Sequence, residues 1–248
     1  MIKQIPNIIT SMNLLCGCVA VFFAVSGDLV TASLFAFLGI FFDFFDGLAA
    51  RLLNTHSEIG LQFDSLADMI TSGLVPSIVM VQLLSQSITG DTLQMVYEQT
   101  TTMNWAAIKI QYIPFIGLLI ALASAYRLAK FNVDTRQTSS FIGLPTPANT
   151  LLILSLPLIL AFQNSELITN IFLNQWFLIG LTILSSILLN AEIPLFALKF
   201  KTWDFASNKI RYIFLLLSLV AIILLKFIAI PILIILYILL SLFQKKEA

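Results

Sequence analysis

Apolar runs of about twenty residues recur along most of this chain, and no other feature limits its fold so tightly. The hydrocarbon core of a bilayer takes about 20 helical residues to cross, and inside it each segment must satisfy its own backbone N–H and C=O groups. The runs predict helices at about 8 to 26, 29 to 54, 58 to 88, 110 to 131, 147 to 163, 171 to 190, 210 to 226 and 228 to 243. Lys226 and the Ile230-Pro231 pair place a turn between the last two, with one kinked helix as the alternative. Composition agrees, because 59% of residues are hydrophobic and 10% are charged, whereas soluble domains carry about 25% charged residues. The expected fold is all-α: a polytopic membrane helix bundle of about eight transmembrane helices. It forms one domain over 1–248, with a core over about 6–190 and additional C-terminal helices over about 210–243.

Orientation follows from the basic residues. With the N-terminus inside, Lys3, Arg51, Arg127, Lys130, Arg136, Lys199, Lys201, Lys209, Arg211, Lys245 and Lys246 fall on the cytoplasmic side, and only Lys109 and Lys226 fall outside. Thirteen basic and thirteen acidic residues cancel, and no basic stripe with interleaved aromatics suggests nucleic acid as a partner. The first apolar stretch lacks a small-x-small cleavage site before the next span and reads as a retained helix. Cys16 and Cys18 point to different helix faces and read as reduced packing residues. Polar connectors are expected at Thr89 to Lys109, with a short interfacial helix near Leu93 to Tyr97, and at Asn132 to Thr146 and Glu192 to Lys209. Trp105, Trp176 and Trp203 fall where belt anchors would.

Against this apolar background stand four carboxylates: Asp43-x-x-Asp46-Gly47-x-x-Ala50-Arg51, eight residues to Gly60, then Asp64 and Asp68. An Asp near the middle of a spanning helix costs about 2.5 to 3.5 kcal/mol on insertion scales, so each needs a partner. Arg51 is the nearby cation in sequence. Asp43 and Asp46 are three residues apart and Asp64 and Asp68 four, so on helices each pair projects from one face. Two such pairs on neighbouring helices supply oxygen ligands for Mg²⁺ or Mn²⁺. A pair of such ions about 4 Å apart stabilises both attacking and leaving oxygens of a phosphoryl-type displacement. Arg51 is placed to grip phosphate, and Gly47 and Ala50 leave room beside the acids. The pattern reads as a diphosphate site.

At every defined position this pattern resembles the signature of the CDP-alcohol phosphotransferase family. The resemblance implies an integral membrane enzyme that binds a CDP-linked donor with divalent metal and displaces CMP by an alcohol. It implies Asp43, Asp46, Asp64 and Asp68 as metal ligands, Asp68 also as general base, and Gly47, Ala50, Arg51 and Gly60 as nucleotide or diphosphate contacts. Pro6-Asn7-Ile8-Ile9-Thr10-Ser11-Met12-Asn13, Arg127-Leu128-Ala129-Lys130-Phe131-Asn132 and Phe141-Ile142-Gly143-Leu144-Pro145-Thr146-Pro147-Ala148 are similar to the family's serine-accepting branch. Ser72-Gly73-Leu74-Val75-Pro76 departs from the Ser-Phe-Gly-type run expected there. The implied reaction joins CDP-diacylglycerol and L-serine to give phosphatidylserine and CMP. It takes place at the cytoplasmic face of the bacterial cytoplasmic (inner) membrane, in a homodimer.

Asn7, Thr10 and Asn13 then become candidate nucleotide contacts, with helix capping or helix–helix bonding as the plainer reading. A buried serine carboxylate needs a cation, and Arg127 and Arg136 are the candidates, with positive-inside anchoring as the alternative. Gly47 and Gly60 also suit plain helix packing. Pro145 and Pro147 shape the entry to the fifth helix, and His56, without other nitrogen ligands, reads as solvated. Other acceptors, glycerol 3-phosphate or an inositol phosphate, would want a denser basic pocket than the sequence offers. A cation transporter, the different-class reading, is disfavoured because the acids gather at one membrane face with no counterpart in the second half.

Overall fold

The computed structural model describes residues 4–55, 57–93, 112–134, 140–196 and 205–243. Helices α1 (Ile5–Val25) and α2 (Leu29–Leu52) form a hairpin with the most extensive helix–helix packing in the described chain. Ala20, Ala24, Ala32 and Ala36 are fully buried along it. In a bilayer, where lipid tails are as apolar as Leu, such small residues let backbones approach and packing supply the attraction. Asp28 caps α2 by accepting the Thr31 backbone N–H at 3.0 Å.

Helix α3 (Glu58–Asp68) runs into a π-helical turn, Met69–Leu74, and on into α4 (Val75–Thr89), making one 32-residue span. Single π turns inside α-helices concentrate at functional sites. This one is wedged at the centre of the bundle. A Cβ on Gly39 would lie 2.7 Å from Thr71 Cγ2, one on Gly73 would lie 3.2 Å from Ser124 Cβ, and Gly17 is as close to Thr71. The Thr71 hydroxyl donates to the Asn13 carbonyl at 3.2 Å, and the Thr150 hydroxyl donates to the Ser72 carbonyl at 2.9 Å. The turn is therefore clamped from α1 and α2 and from the two helices that follow.

Those are α5 (Leu119–Val133), entered through a 3₁₀ stretch at Ile113–Leu118, and α6 (Thr146–Phe162). Pro145 stands at the N-cap of α6 and Pro147 in its first turn, as expected of residues that shape its entry. Next come α7 (Glu166–Phe172) and α8 (Gln175–Asn190), bent 54° at the break between them. Trp176 is exposed at the start of α8, where a belt residue belongs. Cys16 and Cys18 are both free.

By length and composition five described helices can cross a membrane, or six if the bent pair counts as one span, and the chain is an integral membrane protein. The fifth, the stretch Phe214–Leu242, is not one rod. Lys226 has φ 50°, and the Phe214 ring lies 6.0 Å from that of Tyr237. A straight helix would hold those two residues roughly 35 Å apart. Helices α9 (Phe205–Leu225) and α10 (Ala229–Phe243) are thus antiparallel arms of a hairpin, turning at the predicted Lys226. All eight predicted segments are helical over most of their length. α6, α8 and α10, at 17, 16 and 15 residues, fall short of a full crossing by length alone.

The all-α expectation has one small exception. The two polar connectors meet as antiparallel strands β1 (Ser140–Ile142) and β2 (Pro194–Phe196), with Phe141 opposite Leu195. Gly143 follows with φ 76°, and a Cβ there would lie 2.6 Å from the Leu189 carbonyl oxygen, so only glycine fits. The pairing satisfies backbone groups of connectors that lie against the bundle. The expected helix near Leu93 to Tyr97 falls mostly, and His56, Trp105 and Trp203 wholly, outside the described residues.

Gln163, just past α6, fastens the C-terminal hairpin. Its Nε2 donates to the Leu225 carbonyl at 2.9 Å and its Oε1 accepts the Ile228 N–H at 3.1 Å, pairing backbone groups on both sides of the turn. Gln163→Ala is expected to remove both bonds, cost about 1 to 3 kcal/mol, and lower the unfolding midpoint of the detergent-solubilised protein. A midpoint equal to that of the unaltered chain would contradict the fastening role.

Candidate active site

Helix α3 begins where Ser57 accepts the Gly60 N–H through Oγ at 3.0 Å, an N-cap that fixes how the following residues face α1 and α2. From that start Asp64 lies toward the α2 carboxylates. Asp43, Asp46 and Asp64 each offer one oxygen, and the three oxygens lie within 4.8 Å of one another. Asp46 is buried, and its Oδ2 accepts the Thr10 hydroxyl at 2.6 Å. Asp64 Oδ1 is buried without a hydrogen-bond partner.

Asp68 stands outside that trio. It lies against Asp43, and its Oδ1 accepts from Asn13 Nδ2 at 3.3 Å. The four acids are brought together as predicted, but in two roles: three converge on a common point and the fourth is held beside them by α1.

Among the described residues the one ion pair joins Lys130 to Glu192 at 3.2 Å, so no described basic side chain pairs with the trio. Carboxylates this close in an apolar setting repel one another and are poorly solvated. Oxygen donors converging within a few ångströms, one of them orphaned, are the donor set that hard divalent cations take. Asp43, Asp46 and Asp64 therefore fit such a metal.

Next to the trio opens a cavity of about 740 Å³. Asn7, Thr10, Gly47, Ala50, Arg51 and Gly60, all singled out from sequence, line it together with Asp46 and Asp64. A Cβ on Gly47 would meet nothing within 4 Å, so that residue borders open space. Gly60 is confined instead, since a Cβ there would lie 2.9 Å from Ser57 Oγ and 3.2 Å from Asn7 Oδ1. Arg51 is exposed at the rim, with Nε donating to the Gly47 carbonyl at 2.9 Å. Asn13 does not line the cavity and reaches the site through Asp68. Ser57, Glu58 and Phe131 also line it. The Ser57-x-x-Gly60 cap signal could have pointed to the first two.

Arg127 lies apart from the cavity, on α5. It is 7% exposed, its Nε is buried without a hydrogen-bond partner, and Asp68 and Tyr237 act on it electrostatically. Arg136 lies outside the described residues. Tyr237 escaped the sequence reading, although it is the one polar residue between Ile230 and Leu240.

Residues 3–188 match the family model described as CDP-alcohol phosphatidyltransferase. A CDP-diacylglycerol--serine O-phosphatidyltransferase of Bacillus subtilis is 37% identical over 149 residues, which is 58% of this chain and 70% of that protein. A protein of the same name from Helicobacter pylori is 31% identical over 150 residues, 60% of this chain and 54% of its own length. An archaetidylserine synthase of Methanothermobacter thermautotrophicus is 29% identical over 147 residues, 58% of this chain and 53% of that protein. The chain thus spans about half the length of several of the curated relatives it matches.

The Thr10 hydroxyl fixes Asp46 as outer-shell partners fix metal ligands, and losing such a partner typically costs 10- to 100-fold in metal affinity. Thr10→Val is expected to weaken Mn²⁺ binding to the purified protein by about tenfold, read by isothermal titration, with the helical circular dichroism unchanged. Undiminished affinity would separate Thr10 from the site.

Proposed function

The chain belongs to the CDP-alcohol phosphatidyltransferase family, and from that premise we propose that it moves the phosphatidyl group of CDP-diacylglycerol to the hydroxyl of L-serine and releases CMP. The observation that carries the proposal is the convergence of Asp43, Asp46 and Asp64 beside a cavity lined by Gly47, Ala50, Arg51 and Gly60, with Asp68 next to them. Open space at Gly47 suits a bulky nucleotide diphosphate, and Arg51 at the rim suits its phosphates. Asn7, Thr10 and Asn13 serve the nucleotide side, the first two from the cavity wall and Asn13 through Asp68.

Mg²⁺ or Mn²⁺, as a pair of ions, would be held by Asp43, Asp46 and Asp64 with help from Asp68, and would supply charge compensation for the diphosphate and the displaced oxygen. Asp68, oriented by Asn13, takes the proton of the serine hydroxyl. The serine oxygen forms a bond to the phosphorus that bears diacylglycerol, and the bond from that phosphorus to the CMP oxygen breaks. Arg127, with Arg136, meets the serine carboxylate. A buried guanidinium whose Nε has no partner favours an anion at that position, and Asp68 is its neighbour.

Serine is preferred to a phosphorylated acceptor because the described basic side chains near the acids are few: Arg51 at the cavity rim, Arg127 beside Asp68, and Lys130, which is engaged by Glu192. The names of the relatives support the same acceptor. Phosphatidylglycerophosphate and phosphatidylinositol phosphate synthesis are the alternatives within the family. The reaction is assigned to the cytoplasmic face of a bacterial inner membrane, in a homodimer.

Purified protein given CDP-diacylglycerol, Mn²⁺ or Mg²⁺ and L-serine is expected to release CMP and form phosphatidylserine, and EDTA to stop both. A lipid product formed only with glycerol 3-phosphate or an inositol phosphate would reassign the acceptor. Asp68→Asn is expected to lower kcat by at least about 10²-fold while CDP-diacylglycerol still binds. Near-normal turnover would remove Asp68 as the base.

A further inference from the structure

The run from Arg127 to Asn132 enters the proposed reaction only through Arg127, yet its last residue ties α5 to α3. Asn132 Nδ2 donates to Ser65 Oγ at 2.9 Å, and Asn132 Oδ1 lies 3.2 Å from the same hydroxyl. Gln62 Oε1 stands farther from that Nδ2, at 3.4 Å. Phe131, one residue earlier, lines the cavity together with Asp64 and Gly60.

Asparagine is a poorer helix former than alanine, and near helix ends it is used in the left-handed conformation that closes them. Asn132 is not used that way. It lies within α5, which continues to Val133 and is followed by Asp134 at φ −86° and ψ 110°. Its amide is committed to another helix.

What the amide holds is the residue next to Asp64. Successive residues of an α-helix point about 100° apart, so fixing Ser65 against α5 also fixes how far round Asp64 is carried toward Asp43 and Asp46 of α2. A carboxylate roughly 5 to 6 Å from the helix axis moves about 1 Å when the helix turns about 10°. Metal–ligand distances tolerate only about 0.2 Å. The Thr10 hydroxyl holds Asp46 and the Asn13 amide holds Asp68. Among the described residues no α1 side chain does this for Asp64, whose Oδ1 is buried without a hydrogen-bond partner.

We infer that Asn132 is a positioning residue, which by gripping Ser65 sets the rotation of α3 and with it the place of Asp64 in the trio. This rests on the reading of Asp43, Asp46 and Asp64 as a divalent-cation site. The last turn of α5 thus supplies both a wall of the cavity, through Phe131, and a hold on one of the acids.

The test titrates the full chain with Mn²⁺ and reads free ion by electron paramagnetic resonance. Asn132→Ala and Ser65→Ala are each expected to weaken binding about tenfold, the lower end of the cost of losing an outer-shell partner of a metal ligand. Ser65→Ala keeps the test in force if Asn132→Ala does not fold. The double variant is expected to bind no more weakly than the weaker single one, because both changes remove the same bond. Lys130→Ala breaks the Lys130–Glu192 pair on the same turn of α5 and is expected to keep the original affinity, which separates the grip on Ser65 from a general loosening of that helix. Unchanged affinity in a folded single variant, losses that multiply in the double variant, or an equal loss in Lys130→Ala would overturn the inference and leave the metal site standing. An unaltered chain that binds no Mn²⁺ would overturn both.

Discussion

Carboxylates that share an apolar helix bundle, with no ion pair to a described basic side chain, are the constraint around which this protein is organised. Asp43, Asp46 and Asp64 converge within 4.8 Å, an arrangement that mutual repulsion and poor solvation would disperse if the scaffold allowed it. The scaffold does not. Thr10 holds Asp46 and Asn13 holds Asp68. The π turn that follows Asp68 is clamped where Thr71 meets Gly17 and Gly39. Close packing keeps the acids together.

Much of this was legible in the sequence because it rests on local periodicities. Apolar runs near the thickness of a bilayer located the helices. The three- and four-residue spacings of the aspartates placed each pair on one face, and the small residues after them marked the cavity that Gly47, Ala50 and Gly60 line. The turn at Lys226 was visible as a charge before a proline-bearing run. It took the Phe214–Tyr237 contact to decide between a hairpin and a kinked helix.

What stayed hidden depends on contacts distant in sequence or on small changes of helical register. Hydropathy is blind to the π turn at Met69–Leu74, and spacing alone reads Asp64 and Asp68 as equal members of one line, whereas Asp64 joins the trio and Asp68, lying against Asp43, is held by Asn13. The pairing of Phe141 with Leu195 joins two connectors that each look merely polar. Tyr237 carries no motif, and its place against Leu144 and Leu152 follows from how α10 seats on α6.

The central claim is that the three converging aspartates form one divalent-cation site. Titrating the full-length protein with Mn²⁺ and reading free ion by electron paramagnetic resonance tests it most directly. The account predicts saturable binding that is lost when Asp43, Asp46 or Asp64 is replaced by Asn. Binding that is absent in the unaltered protein, or that survives all three replacements, would contradict it.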